Sequence, residues 1–361
     1  MVASLYFNQQ MGLMPTPLQE RALREAYLTL YAYVGAKKED HLIFTSSGAE
    51  AVNHAVFAAY VDITRKTGKN HFLCSALDEA PAIMSMGRLH EMGCVFQMVP
   101  AAPEGYVTIK SVAETLTPRT AMLSLSAANG LTGVIQPLSE IASLCQERGI
   151  LFHVDATHLL GKSDFSFHDS GVDLLSFQGP IPGMGVLLMR AGFEISPFIL
   201  GGKEQGQMRG GPLPVSALIE CAKWTKKERS LTDHYCMEVA RLRALFEEKV
   251  CGALPQAKVL FCDQARVPHI TSFLFPGVES DALCYALSQK GLFANCGGNH
   301  LQHFAHILKA CSFVAPACYS AASFAFAPTV TEEEIEKGAE IVCATVKHLQ
   351  RYSVHLMGEK V

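Results

Sequence analysis

The first 222 residues alternate between short apolar runs and amphipathic segments, and this order constrains the fold more than any other feature. Five runs have strand character: HLIFTSS, NHFLCSA, VFQMVPA, TAMLSLSA and ILFHVDA. Between them lie helical patterns such as PAIMSMGRLHEMG and PLSEIASLCQERG, the second with Pro near its start and Gly after its end. Apolar strands separated by helices are typical of a parallel or mixed sheet covered on both faces. We therefore predict an α/β fold.

The pattern changes after residue 222. The segment KKERSLTDHYCMEVARLRALFEEKV predicts one long amphipathic helix, and the short strands KVLFC, HITSFLF and SFAFA follow it. A helix is predicted from Ser280, and Thr331 before three glutamates is typical of the start of a last helix. A length of 361 residues suits about two domains. We predict a large domain over 13–222 and a smaller α+β domain built from 1–12 and 223–361.

Composition excludes several classes of protein. The net charge of -4 without a basic stripe disfavours a nucleic-acid partner. The start of the chain lacks the basic and long apolar regions of a signal peptide. Residues 310–328 are uncharged and long enough to span a membrane, but they contain two prolines and no Leu or Ile, so we predict loop and strand there. Twelve cysteines without a CxxC pair indicate reduced thiols in a cytoplasmic protein.

The segment DLLSFQGPIPGMGVLLMR, residues 173–190, predicts two apolar strands joined by a loop of glycines and prolines. Loops that follow buried strands often carry the chemistry of an α/β protein. This loop has no charged, nucleophilic or basic side chain.

Several segments, in order and at nearly regular spacing, resemble the cysteine desulfurases of the class V aminotransferase family. They are IFTSSGAEAVNHAV, GVIQPLSEIASLCQERGILFHVDATHLLGK, VDLLSFQG, GGKEQGQMRGGPLPV and TEEEIEKG. The resemblance covers about residues 5–348. It implies a fold type I aminotransferase-like architecture, with a mostly parallel seven-stranded-type sheet, a smaller C-terminal domain and pyridoxal phosphate. In HVDATH, Asp155 matches the aspartate that pairs with the pyridinium nitrogen of that cofactor.

The resemblance fails at the positions that hold and activate the cofactor. The histidine and the Schiff-base lysine of the family fall on Pro180 and Ile181, and no lysine lies between Lys162 and Lys203. Only an amine could hold the cofactor aldehyde as an imine. The stacking histidine falls on Glu79.

Further departures follow the same trend. The phosphate threonine falls on Ala49, although Gly48 stays at a helix start that could cradle an anion. Asn129 and Arg209 are kept, whereas Pro212 replaces a threonine and Ser323 replaces the carboxylate-binding arginine. The persulfide cysteine falls on His300, with Cys296 four residues earlier.

Losing almost the whole constellation favours a catalytically degenerate homologue that acts through protein contacts in a sulfur or iron–sulfur context. Its partner would be a second copy, an active paralogue or an acceptor protein. We then expect no cofactor, although the family implies pyridoxal phosphate. The alternative is a pyridoxal-phosphate-dependent desulfurase or related lyase that binds the cofactor non-covalently. A third alternative is a module for another small anion.

Individual candidates keep two interpretations each. Asp155 either pairs with a ring nitrogen, or caps a turn or pairs with His153 or His158, since a buried carboxylate needs a partner. Ser176 and Gln178 either bind phosphate or satisfy loop backbone groups. Arg209 either binds an anion or forms a dimer-interface turn.

A second set of candidates lies near the persulfide position. Cys296 is a candidate thiol, and His300 is the local group that could activate it. Cys296, His300, His303 and His306 have a spacing that could suit a metal, but glycines interrupt the helix that this would need. We therefore expect no metal there. The remaining candidates near the cofactor are Gly48, Ala49, Asn129, His158 and the lost-lysine position Ile181.

Overall fold

The computed structural model describes residues 17–298 and 303–357. The chain divides into two compact units. The described residues up to Val99, Thr108–Ala127 and Gln136–Ser230 form the first unit. The second comprises Pro100–Val107, Ala128–Ile135 and the described residues from Leu231 onward. The predicted assignment of residues 1–12 lies outside the described residues, and the limit at 222 and 223 stays a prediction.

The first unit is built on one seven-stranded sheet, as predicted for a mostly parallel α/β fold. The strand order is β1-β7-β6-β5-β4-β2-β3, with β7 antiparallel to both neighbours and the other pairs parallel. The strands are β1 His41–Thr45, β2 His71–Ser75, β3 Val95–Val99, β4 Thr120–Ser126, β5 Leu151–Asp155, β6 Leu174–Gln178 and β7 Gly185–Met189.

Helices α1 to α8 belong to this unit. They are α1 Pro17–Val34, α2 Gly48–Ala59, α3 Arg65–Thr67, α4 Ala80–Glu91, α5 Ile109–Thr115, α6 Leu138–Arg148, α7 Phe167–Ser170 and α8 Val215–Arg229; a π-helical turn, Tyr60–Thr64, joins α2 to α3. Every residue of β2, β4 and β7 is buried. Strands buried on both faces explain why their sequences are continuous apolar runs and do not alternate.

The second unit has a three-stranded antiparallel sheet in the order β10-β9-β8. Its strands are β8 Lys258–Val259, β9 Ile270–Leu274 and β10 Ala321–Ala325. Its helices are α9 Thr232–His234, α10 Ala240–Ala253, α11 Ser280–Ser288, α12 Phe304–Ala310 and α13 Glu332–Met357. Phe246, Phe273 and Phe324 pack in its buried core. The predicted strand within 310–328 is confirmed as β10.

The end helices show one success and one error of the sequence patterns. The predicted start of α13 is confirmed, because Thr331 Oγ1 accepts the Glu334 N–H and Glu334 accepts the Thr331 N–H. The single helix predicted from Lys226 is wrong. It is broken into α8, α9, a π-helical turn Tyr235–Val239 and α10. An amphipathic pattern can continue across such a break, because it reflects which side chains are buried and not which backbone hydrogen bonds form. No helix in the described parts of the chain has the length and apolar character needed to cross a membrane.

Candidate functional site

Asp155 is the last residue of β5, at the carboxyl edge of the parallel part of the sheet. Its Oδ1 accepts the Thr157 N–H at 3.0 Å and the Thr157 hydroxyl at 2.6 Å. Burial raises the pKa of Asp155, against the lowering effect of Thr157 and of the nearby His158. These contacts with Thr157 are those expected of the turn-capping interpretation.

His158 forms an ion pair with Glu79, the residue at the family's stacking-histidine position. Nε2 of His158 lies 3.3 Å from Oε1 of Glu79, just before α4. Burial would lower the pKa of His158, but Glu79 and then Asp155 outweigh it and raise the pKa. Two carboxylates thus favour the protonated form of His158 at this edge of the sheet.

Ser176 is engaged by a buried histidine. Nε2 of His153 lies 3.0 Å from the Ser176 hydroxyl, and Nδ1 lies 2.8 Å from the Ser124 hydroxyl. Burial lowers the pKa of His153 to about 3, so the ring is neutral. Ser176 therefore forms a hydrogen bond with a buried histidine. Both ring nitrogens of His153 contact serine hydroxyls, whereas Asp155 was one of the partners considered for this ring.

Gln178 lies against the start of α2. Its Oε1 accepts the Gly48 N–H at 2.8 Å, and its Nε2 donates to the Met184 carbonyl at 2.8 Å. Its own N–H donates to the Thr157 hydroxyl at 3.0 Å, which links it to Asp155. The helix N–H that would receive an anion therefore already has an acceptor from within the chain.

Glu50 forms a largely buried ion pair with Arg209. Its Oε1 lies 3.0 Å from Arg209 Nε, and its Oε2 accepts both the N–H and the hydroxyl of Ser46. Burial raises the pKa of Glu50, but the hydrogen bonds from Arg209 and Ser46 bring the pKa below its usual value. Arg209 is thus neutralised by a residue of its own chain. Ala49, which precedes Glu50 in the chain, is exposed and offers no hydroxyl group.

The chemically empty loop is short and closed on itself. The Gly179 N–H donates to the Met184 carbonyl at 2.8 Å. Pro180 and Ile181 are partly buried between these two residues. Neither side chain can form an imine.

Asn129 and Ser323 belong to the second unit, and both take part in its backbone hydrogen bonding. Asn129 Oδ1 accepts the N–H groups of Leu131 and Thr132, each at 2.9 Å. Ser323 is buried, and its backbone pairs with that of Asn295. These contacts are those of a turn and a strand.

Cys296 is buried in the second unit, and its thiol lies 3.2 Å from Oδ1 of Asp281. Burial, followed by Asp281, raises the pKa of Cys296, which is unfavourable for a nucleophile. His303 accepts the Ala305 N–H at the start of α12, and His306 is exposed. The candidate His300 lies outside the described residues.

The sequence patterns missed Asp78, a buried carboxylate at the same sheet edge. It accepts the Ser75 N–H at 2.6 Å and also the Ser126 N–H. Burial and the charge of Asp155 raise its pKa to about 7. The sequence signal for Asp78 was an acidic residue three positions after a fully buried strand. A buried carboxylate needs hydrogen-bond partners, so such a position indicates a specific local structure.

Relatives and solved structures share most of the length of this chain. The chain is 26% identical to the cysteine desulfurase NifS of Azotobacter vinelandii, covering 98% of this chain and 87% of the relative. It is 27% identical to a cysteine desulfurase of Gluconacetobacter diazotrophicus, covering 92% and 84%. A NifS-like protein structure superposes with a TM-score of 0.84 at 21% identity, covering 91% of this chain and 88% of the other. DndA from Streptomyces lividans gives 0.74 at 24%, covering 90% and 95%.

The family model described as Aminotransferase class-V matches residues 19–337. This finding overturns one expectation. We expected no cofactor, but the match is to the family for which the resemblance implies pyridoxal phosphate, so it points to that cofactor. The missing side chains had indicated the opposite, but the family likeness extends over most of the chain. Since the match extends over most of its length, the chain belongs to the aminotransferase class-V family.

Proposed function

We propose that this chain is a catalytically degenerate cysteine desulfurase homologue that acts through protein contacts in sulfur or iron–sulfur metabolism. The contact that carries the proposal is the 2.8 Å hydrogen bond from the Gly48 N–H to Gln178 Oε1. A side-chain oxygen of this protein accepts the N–H at the helix start where the family binds the cofactor phosphate. The missing lysine supports the same conclusion, because without an amine no imine forms with cofactor or substrate.

The residues present fit pyridoxal phosphate at one point and not at two others. Asp155 suits a ring nitrogen, since a carboxylate at this edge would stabilise a protonated pyridine. The loop from Gly179 to Met184 has no group to hold the aldehyde, and Gln178 Oε1 already accepts the Gly48 N–H at the start of α2. The cofactor is therefore proposed as a displaceable ligand, and we derive no catalytic step through it.

The partner is proposed to be a second copy of this chain, an active paralogue or a sulfur acceptor protein. The relatives bear the name cysteine desulfurase, and this supports a sulfur context. The test combines two measurements on the purified full chain. We expect no sulfide from cysteine with added pyridoxal phosphate, together with a change in the sulfide output of an active desulfurase when the chain is added. Sulfide release by the chain alone would overturn the proposal.

A second function is favoured by Asp155 and His158. Asp155, which is retained, and the nearby His158, which stands where the family has a glutamine, support a slow, non-covalently loaded lyase or desulfurase. Replacing Asp155 by Ala should then abolish binding of pyridoxal phosphate, measured by its absorbance after desalting. Unchanged retention of the cofactor would count against this alternative.

A further inference from the structure

A cysteine, a histidine and an aspartate meet in the second unit. Asp281 lies in the first turn of α11, Cys296 follows that helix, and His303 immediately precedes α12. Cys296 Sγ lies 3.2 Å from Asp281 Oδ1, and His303 Nε2 lies 3.8 Å from Asp281 Oδ2. One ligand atom from each residue lies within 4.8 Å of the other two.

The three groups differ in exposure in a way that suits a small ion. Cys296 is 7% exposed, while the Asp281 side chain is 69% exposed and that of His303 is 22% exposed. An ion would therefore enter past the carboxylate and reach the thiol behind it. Cys284, one turn after Asp281 on α11, hydrogen-bonds with Cys296 and adds a second sulfur beside the cluster.

We propose that Asp281, Cys296 and His303 form a Zn²⁺ site. A thiolate, an imidazole and a carboxylate are the ligand types of zinc, whereas Ca²⁺ and Mg²⁺ prefer oxygen throughout. Tetrahedral bonds of about 2.0–2.3 Å place ligand atoms about 3.3–3.6 Å apart. The present separations, all within 4.8 Å, exceed this by no more than about 1.5 Å, which side-chain rotation can close. The fourth position is left to water or another ligand.

Binding would move two protons. The Cys296 thiol donates to Asp281 in the ion-free cluster, and zinc would take the place of that proton. His303 Nδ1 accepts the Ala305 N–H, so its ring proton lies on Nε2. Coordination through Nε2 therefore shifts this proton to Nδ1 and releases the Ala305 N–H. The start of α12 is thus coupled to the ion, which provides a readout independent of any activity.

The test uses the full-length chain stripped with a chelator. We expect a titration of Zn²⁺ against a chromophoric chelator to show about one ion per chain. The Co²⁺-loaded protein should show a thiolate-to-metal absorption band. Replacing Cys296 by Ser should abolish that band and weaken binding by at least about tenfold. Zinc should also shift the Ala305 amide resonance.

Two variants separate coordination from folding. His303→Asn keeps a side-chain oxygen to cap α12 but removes the imidazole, so it should fold and bind zinc at least about tenfold more weakly. Cys262→Ser removes an exposed thiol of the same unit and should leave binding unchanged. The proposal is overturned if the full chain takes up no zinc, or if Cys296→Ser and His303→Asn bind it as tightly as the unaltered chain.

Discussion

Gln178 Oε1 and the Gly48 N–H form a hydrogen bond at 2.8 Å, although 130 positions separate the two residues in the chain. The bond joins the end of β6 to the first residue of α2. A helix start normally presents unpaired N–H groups, and these are what bind anions. At this site one of those groups is already satisfied from within the protein.

We expect Gln178→Ala to increase the affinity for pyridoxal phosphate and for inorganic phosphate. The substitution frees the Gly48 N–H, and one hydrogen bond is worth about 0.5–1.5 kcal/mol, or about 2- to 10-fold in affinity. Thermal-shift titrations with each ligand measure the change. Gln178→Glu keeps an acceptor and adds a negative charge, so it should weaken binding. Equal affinities for both variants and the original chain would contradict the prediction.

The ion pair of Glu50 and Arg209 should be essential to the stability of the first unit. Their side chains are only 8% and 17% exposed, so Arg209→Met leaves a buried carboxylate without its cation. We expect a loss of about 3–5 kcal/mol in the free energy of unfolding. Urea denaturation measures it. Adding Glu50→Gln to Arg209→Met should recover part of the loss, since the buried charge is then gone while an acceptor for Ser46 remains.

The same pair predicts sensitivity to acid. The pKa of Glu50 is lowered below its ordinary 4.5 in the folded chain, so the pair's contribution is full above that value. It is lost as the pH falls through the folded-state pKa. The difference in stability between the original chain and Glu50→Gln should therefore shrink below about pH 4.5. A difference that stays constant down to pH 3 would argue against this assignment.

The sheet could be predicted from sequence because burial on both faces produces continuous apolar runs, such as TAMLSLSA in β4. The position of Asp155 followed from the same pattern, since a polar residue directly after such a run marks the sheet edge. The sequence also indicated that the loop near Ile181 carries no amine. These inferences depend on local patterns.

The partners of these residues could not be predicted in the same way. Gln178 with Gly48, and Glu50 with Arg209, are joined across more than a hundred positions. No periodicity records which distant backbone group a glutamine will reach. The expectation of no cofactor was also wrong. It rested on the missing side chains of the site, whereas the family likeness over most of the chain points to pyridoxal phosphate. A motif shows which chemistry is missing but does not show what replaces it.

Gly185 should not tolerate a side chain. A methyl group there would overlap the Ser47 carbonyl and the Gly48 nitrogen, both of them backbone atoms at the start of α2. Because backbone at a buried strand cannot move freely, we expect Gly185→Ala to destabilise the fold by about 1–3 kcal/mol or more. Gly87→Ala is the matched control. It lies within α4 with open space around it, and should stabilise the chain by about 0.5–1 kcal/mol. Chemical denaturation of both variants decides the point.

His158, just beyond the end of β5, and His153, buried within that strand, should differ in their titration. The pKa of His158 is raised above 6.5, because Glu79 and Asp155 outweigh the effect of burial, whereas burial holds the pKa of His153 at about 3. NMR titration of the ring protons should show His158 changing above pH 6.5 and His153 unchanged between pH 5 and 8. Replacing Glu79 by Gln should lower the pKa of His158.

The stability contributed by this ion pair follows from the direction of the shift. A histidine whose pKa is raised on folding contributes its full stabilisation below pH 6.5, the ordinary value for the ring. The contribution is lost as the pH rises through the folded-state pKa. The original chain should therefore lose stability relative to Glu79→Gln as the solution becomes alkaline, measured by urea denaturation across this range. Parallel stability curves for the two proteins would show that Glu79 does not hold the proton on His158.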